Sequence, residues 1–242
     1  MSRDPGHVLI TGASSGIGAA LARRLARPGR RLTLFGRNTE RLRAVAGACA
    51  GTTETMAVDV TAAPAMQAAI ERAFATAPVD LLIANAGISG GDARTLMSVN
   101  LEGIINTVEP AIPLMLSRGQ GHLALMSSLA GFRGLPNAPA YCASKAAVRI
   151  WGEGLRGRLA PEGIRVSVVC PGFIETPLTA ENPFPMPFLM SPEAAAERIA
   201  RGLARNRARI AFPRRLYWPI LLGTLIPQAL TDPIYRRFGV KE

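Results

Sequence analysis

The stretch HVLITGASSGIG, residues 7–18, runs from an apolar tetrapeptide into three glycines, Gly12, Gly16 and Gly18. A short apolar run, a glycine-rich loop and then a helical pattern read as strand, turn and helix. In an open parallel sheet, ligands bind beyond the carboxyl ends of the strands. Glycines there let the backbone approach a pyrophosphate, and the helix N-terminus offers free N–H groups and the positive end of its dipole. The spacing is G-x-x-x-G-x-G rather than G-x-G-x-x-G, and no Gly-Lys-Ser/Thr follows, which excludes a P-loop. Taken alone, the turn is either a phosphate cradle or a flexible connection.

Working outward, apolar runs and helical patterns alternate along the 242 residues. Strands are predicted at His7–Thr11, Arg31–Phe35, Thr55–Val58, Asp80–Ala84, His122–Ser127, Arg165–Val169 and Arg209–Phe212. Helices are predicted near 16–27, 38–48, 62–76, 95–117, 139–160 and 191–206. Continuous apolar strands fit a parallel sheet covered on both faces, and their alternation with helices gives right-handed crossovers. The expected fold is α/β: one Rossmann-like, doubly wound sheet of about seven parallel strands. Residues 1–212 form the dinucleotide-binding and catalytic domain in this reading, with 213–242 as an apolar and basic extension.

Composition narrows the function. The chain carries 28 Lys+Arg against 17 Asp+Glu, a net charge of +11. The basic residues are spread along the sequence rather than blocked together with aromatics, which argues against nucleic-acid binding. His7 and His122 lack metal-ligand spacing, so no protein-bound metal is expected. Cys49, Cys142 and Cys170 are odd in number, show no C-x-x-C pair and follow no secretory leader, which favours a reducing, cytoplasmic setting. Lys145 and Lys241 are the only lysines. A chain that otherwise uses arginine keeps a compact ammonium at Lys145, and the two cations are not interchangeable.

Lys145 stands four residues after Tyr141 in YCASK, on one face of a predicted helix. An ammonium beside a phenol favours the phenolate and lowers the tyrosine pKa from its usual value of about 10. That would poise Tyr141 to give or take a proton near neutral pH, as carbonyl reduction or alcohol oxidation requires. Ser128 ends the strand HLALMSS 13 positions earlier, where its hydroxyl could hydrogen-bond a substrate oxygen. An isolated Tyr-x-x-x-Lys is common on helices, however, and Ser127-Ser128 alone is an ordinary loop start.

Six short motifs together are more specific. TGASSGIG, NAG (85–87), VN (99–100), SSLAG (127–131), YCASK (141–145) and PGFIET (171–176) follow one another in an order that resembles the short-chain dehydrogenase/reductase family over about residues 7–212. The altered glycine order is that family's own version of the turn. The resemblance implies Tyr141 as general acid/base, with Lys145 lowering its pKa and holding the nicotinamide ribose. It implies that Ser128 orients the substrate carbonyl and that Asn100 supports a proton relay behind Lys145. Gly12, Ser14, Ser15, Gly16, Ile17 and Gly18 would cradle the phosphates. Asn85, Ala86 and Gly87 would line the cofactor cleft, with Asp59 and Val60 at the adenine. Pro171, Gly172, Ile174 and Thr176 would hold the carboxamide, and a homo-oligomer is expected.

Substrate and tail are less legible. Between Thr176 and Ser191, PLTAENPFPMPFLM reads as a lid or binding loop, with Phe184, Met186 and Phe188 as an apolar substrate wall, or as a loop packing on itself. The run Leu216–Leu230 is shorter than the roughly 20 residues of a membrane-spanning helix and is broken by Pro219 and Pro227. Its flanking arginine pairs, 214–215 and 236–237, with Tyr217 and Trp218, suit peripheral contact with anionic lipid. A tail folded over the substrate cleft or against a partner copy is the other reading, favoured because large apolar patches are usually covered.

These features predict an NADP(H)-dependent enzyme that reduces a small apolar ketone or aldehyde. A non-catalytic NADPH-binding regulator is the rival, and the intact Ser–Tyr–Lys set argues against it. NADPH is expected because the second strand ends in Gly36-Arg37, where NAD-preferring sheets place an acid on the ribose 2′-hydroxyl. Arginine can instead make charge-assisted bonds to a 2′-phosphate. Arg37→Ala should therefore raise the KM for NADPH far more than that for NADH; equal effects on both would defeat the assignment.

Overall fold

A computed structural model describes residues 5–180, 185–227 and 229–231. Its sheet is built from β1 (His7–Thr11), β2 (Arg31–Gly36), β3 (Thr52–Ala57), β4 (Leu81–Ala84), β5 (Gly121–Met126), β6 (Ile164–Pro171) and β7 (Arg209–Phe212). The seven strands lie in the order β3-β2-β1-β4-β5-β6-β7, and every pairing is parallel. The order reverses between β1 and β4, so the crossovers on either side diverge there and leave a crevice at the carboxyl edge.

Successive strand residues point to opposite faces, and each face has its own core. Val8 and Ile10 pack on one side with Leu21, Leu34 and Ile199, while Leu9 packs on the other with Ile70, Leu82 and Val148. The first face is covered by α1 (Gly16–Leu25), α2 (Thr39–Gly47) and α8 (Pro192–Ala204). The second is covered by α3 (Ala63–Thr76), α5 (Gly103–Val108), α6 (Ala111–Leu116) and α7 (Pro139–Leu159).

Three elements differ from the sequence reading. The helix expected over 95–117 is α4 (Ala93–Met97), a π-helical turn at Ser98–Glu102, then α5 and α6. Pro110 precedes α6 and cannot donate the hydrogen bond that would continue α5. Strand β3 starts earlier than expected and is largely exposed, because an edge strand can turn Thr and Glu to solvent. Pro219, expected to break the tail, lies inside a helix that follows β7, α9 (Arg214–Gly223). Among the described residues no helix is long and apolar enough to cross a membrane.

Both histidines serve the sheet. His7 Nε2 lies 2.8 Å from Thr33 Oγ1 on β2, and His122 Nε2 lies 2.9 Å from Ser167 Oγ on β6. Burial, helped by Arg165 and Arg156, pushes the His122 pKa down from 6.5 to about 3. The unfolded chain then binds a proton that the folded chain refuses, so stability falls as pH drops from 6.5 towards 3. In urea titrations across that window, His122→Asn should lose stability less steeply with acid than the parent. Parallel curves would show that His122 is not the titrating group.

Candidate active site

Six loops at the carboxyl edge of the sheet meet around a cavity of about 510 Å³. The turn after β1 is shaped by two glycines in the left-handed region, Gly12 (φ 64°) and Gly16 (φ 53°). Thr11 Oγ1 accepts from the backbone N–H groups of Asn85 (3.0 Å) and Ala86 (3.2 Å). Asn85 Nδ2 in return donates to the carbonyls of Thr11 (3.0 Å) and Gly12 (3.3 Å). The ends of β1 and β4 are thus fixed to one another before any ligand arrives.

Space for a dinucleotide depends on missing side chains. A Cβ at Gly12 would come within 2.8 Å of Ala86 Cα, and one at Gly18 within 2.2 Å of the Gly12 carbonyl oxygen. Gly18 therefore brings α1 against the end of β1, and Ser14, Ser15, Gly16 and Ile17 line the cavity above it. Ser15, the residue before helix α1, makes no side-chain cap, and the first turn of the helix holds no acid. Its leading N–H groups are left for an anion. Arg37, Asn38 and Arg41 line the cavity beyond β2, with Asp59 and Val60 beside them beyond β3. The residues present fit a bound dinucleotide.

Ser128, Tyr141 and Lys145 line the same cavity, from the end of β5 and the first turns of α7. Lys145 Nζ stands 5.8 Å from the centre of the Tyr141 ring and donates to the Met126 carbonyl at 3.2 Å. Ser127 Oγ donates to the Lys145 carbonyl at 2.7 Å, clamping the helix to the strand. Asn100 occupies the π-turn: its Nδ2 donates to the Ile88 carbonyl and Ser144 Oγ, and its Oδ1 accepts from Ile88 N–H at 2.8 Å. It is fully buried behind the cavity wall. A Cβ at Gly87 would lie 2.9 Å from Asn100 Oδ1 and 3.1 Å from Lys145 Nζ, so only glycine leaves these two groups their places.

The short chain dehydrogenase family model matches residues 6–184, about three-quarters of the chain, the share that takes in this whole cavity. This protein belongs to the short-chain dehydrogenase family. It is 40% identical over 242 residues to an uncharacterized oxidoreductase of Myxococcus xanthus, with 95% of this chain and 96% of the relative covered. It superposes on a short-chain dehydrogenase from Sphingobium yanoikuyae in complex with NADPH with a TM-score of 0.79, at 28% identity, covering 97% of this chain and 98% of the other. A 3-ketoacyl-(acyl-carrier-protein) reductase from Brucella melitensis complexed with NADH gives a TM-score of 0.77 at 28% identity, over 85% of this chain and 94% of that one. The protein is therefore an oxidoreductase of a family that binds nicotinamide cofactors, and these two structural neighbours hold different ones.

For a short-chain dehydrogenase the electrostatics of the site hold a surprise. Burial pushes the Tyr141 phenol above its usual value, and hydrogen bonding with Ser128 pulls it back only in part. Burial also drives Lys145 down to about 8, and below that pH its ammonium stands beside the phenol. Desolvation is the largest influence on each of the two groups.

Among the substrate residues, Phe184 lies outside the described residues, and Met186 and Phe188 do not line the cavity. Phe188 sits in a left-handed turn (φ 59°) with 49% of its surface exposed, since the bridge between Ile174 and Met190 folds this loop back on its own start. The apolar lining comes instead from Ile88, Val99, Met126, Pro177 and Leu178, together with the expected Ile174. Pro171, Gly172 and Thr176 line it as well. Arg41 also lines the cavity and was not anticipated from the sequence; the signal for it is Asn38, which caps α2 by accepting from the N–H of Arg41, three residues on, at 2.8 Å.

Gly18→Ala tests the cradle. Its methyl must displace backbone rather than a flexible side chain, and overpacking of this kind costs about 1–3 kcal/mol. Urea denaturation should show that loss together with weakened dinucleotide binding. A variant of unchanged stability and affinity would mean that α1 moves aside freely.

Proposed function

We propose that this protein is an NADPH-dependent carbonyl reductase, reversible as an alcohol dehydrogenase, with Tyr141 as its general acid/base. The observation that carries this reading is the convergence of Ser128, Tyr141 and Lys145 on the cavity that also holds the glycine turn and Arg37. Bound there, the dinucleotide would supply the hydride.

The chain's own residues supply the proton and the orientation. Ser128, whose Oγ accepts from Ala130 N–H at 3.1 Å and donates only a long bond of 3.4 Å to the Pro171 carbonyl, can turn its O–H to a substrate carbonyl oxygen. Tyr141 gives its phenolic proton to that same oxygen as the carbon is reduced. A phenol held neutral by burial is an acid until the substrate oxygen gains charge, which suits reduction. Lys145, charged below about 8, stabilises the phenolate left behind. Asn100, through Ile88 and Ser144, fixes the loop and the helix between which Lys145 lies.

NADPH is favoured over NADH by the end of β2. Gly36 offers no carboxylate there, and the nearby Asp59 spends one oxygen on the N–H (2.9 Å) and hydroxyl (2.8 Å) of Thr61. The Arg37 guanidinium is 4.0 Å from the other Asp59 oxygen and 72% exposed, with Arg41 beside the same cavity. Two cations there suit a 2′-phosphate. Ile88, Met126 and Leu178 support an apolar ketone or aldehyde as substrate.

The test is NADPH oxidation over a panel of apolar ketones and aldehydes, with dinucleotide affinity measured in parallel by fluorescence. Tyr141→Phe should lose about 10²–10⁴ in kcat while still binding NADPH. In the parent, carbonyl reduction should decline as pH rises through about 8, where Lys145 loses its proton. Full turnover in Tyr141→Phe would refute the mechanism. An intact parent that binds NADPH and turns over no substrate would favour the regulator.

A further inference from the structure

A second cavity, of about 570 Å³, lies where α8, β7 and the start of α9 meet. Its wall carries Arg198, Arg201, Arg205, Arg207, Arg209 and Arg214 and, among the described residues, no carboxylate. Arg209 pairs with Glu153 and Arg201 with Glu197. Among the described residues, Arg198, Arg205, Arg207 and Arg214 form no ion pair. Like charges gathered in a concavity focus a field that attracts anions.

The same corner carries an apolar stripe. Helix α9 packs Leu216, Tyr217 and Ile220 against Leu129, Val168 and Cys170. Its opposite face presents Trp218 (54% exposed), Leu222 (60%) and, just beyond the helix, Leu225 (81%) and Ile226 (45%). Arg214 and Trp218 begin that face and also line the basic cavity, so stripe and arginines form one continuous surface. The helix is held in place at its far end, where Arg133 Nη1 donates to the carbonyls of Gly223 (2.7 Å) and Ile226 (3.2 Å).

We propose that this α8–β7–α9 corner docks on an anionic lipid bilayer. Such a surface offers phosphates to the arginines and a hydrocarbon boundary to Trp218, Leu222 and Leu225 together. A nucleic acid would pair with the arginines and leave the leucines in water. A second copy meeting this one across a two-fold axis would set the arginine clusters of two chains, each of net charge +11, against one another.

The full-length chain is floated with vesicles of phosphatidylcholine alone, and of phosphatidylcholine mixed with phosphatidylglycerol, at low and high salt. Circular dichroism checks that every variant is folded. Trp151 is the only other tryptophan, so a Trp151→Phe background isolates the emission of Trp218. The protein should float with the mixed vesicles, less so at high salt, and Trp218 emission should shift to the blue. Arg205→Glu/Arg207→Glu should weaken partitioning by roughly twentyfold or more. Leu222→Ser/Leu225→Ser should abolish the shift. Failure to float with anionic vesicles overturns the proposal, as does equal binding to both kinds. So does sedimentation showing a dimer that Leu222→Ser/Leu225→Ser splits, without vesicle binding, which would make a second copy the occupant.

Discussion

The site depends on how closely α1 approaches the end of β1. A Gly18 side chain would overlap the Gly12 carbonyl, so the absence of one methyl group sets the distance between the helix and the sheet. Asn85 fixes the same carbonyl from β4, and Thr11 returns two hydrogen bonds to the Asn85 loop. These contacts sit where the strand order reverses. Helices on the two sides of the reversal lie on opposite faces, so their loops part at the carboxyl edge and a cavity opens between them. Widening the first contact would shift every wall of that cavity relative to the others.

Burial is the second constraint, and it acts on the chemistry. Lys145 is buried and Tyr141 half-buried in one corner; among the described residues no carboxylate pairs with the Lys145 ammonium, whose partner is the Met126 carbonyl. Each group is therefore pushed towards its neutral form, the phenol upwards and the ammonium downwards. In the proposed reaction, proton transfer from such a pair would follow the charge that develops on a bound oxygen, rather than a resting phenolate.

Arginine plays two parts in the fold. Arg149 and Arg209 stand over the ring of Phe132, at 4.7 and 5.2 Å, with Glu153 between them and Tyr217 edge-on at 5.6 Å. That cluster ties the loop after Ser128 to α7, β7 and α9. Arg156 likewise joins α7 to Asn206 at 3.0 Å. Arg198 on α8 and Arg205 just beyond it form no ion pair among the described residues, and both are exposed at the second cavity. One residue type thus serves as mortar inside and as an electrostatic surface outside.

The alternation of apolar strands and helices determined the parallel sheet, because strands buried on both faces must be apolar throughout and this is visible locally. The glycine turn and the order of the short motifs likewise determined the family, since backbone approach and helix spacing are encoded by residue type and position. The broken helix around Asn100 and the exposed edge strand β3 were hidden, because they depend on neighbours distant in sequence. Phe188 shows the same limit: an apolar side chain in a loop looks like a substrate wall until the Ile174–Met190 bridge turns it to solvent. The protonation of Tyr141 and Lys145 was decided by tertiary structure alone. Their spacing sets which charges can meet, but the water left around them sets which charge survives, and that is a property of the folded chain.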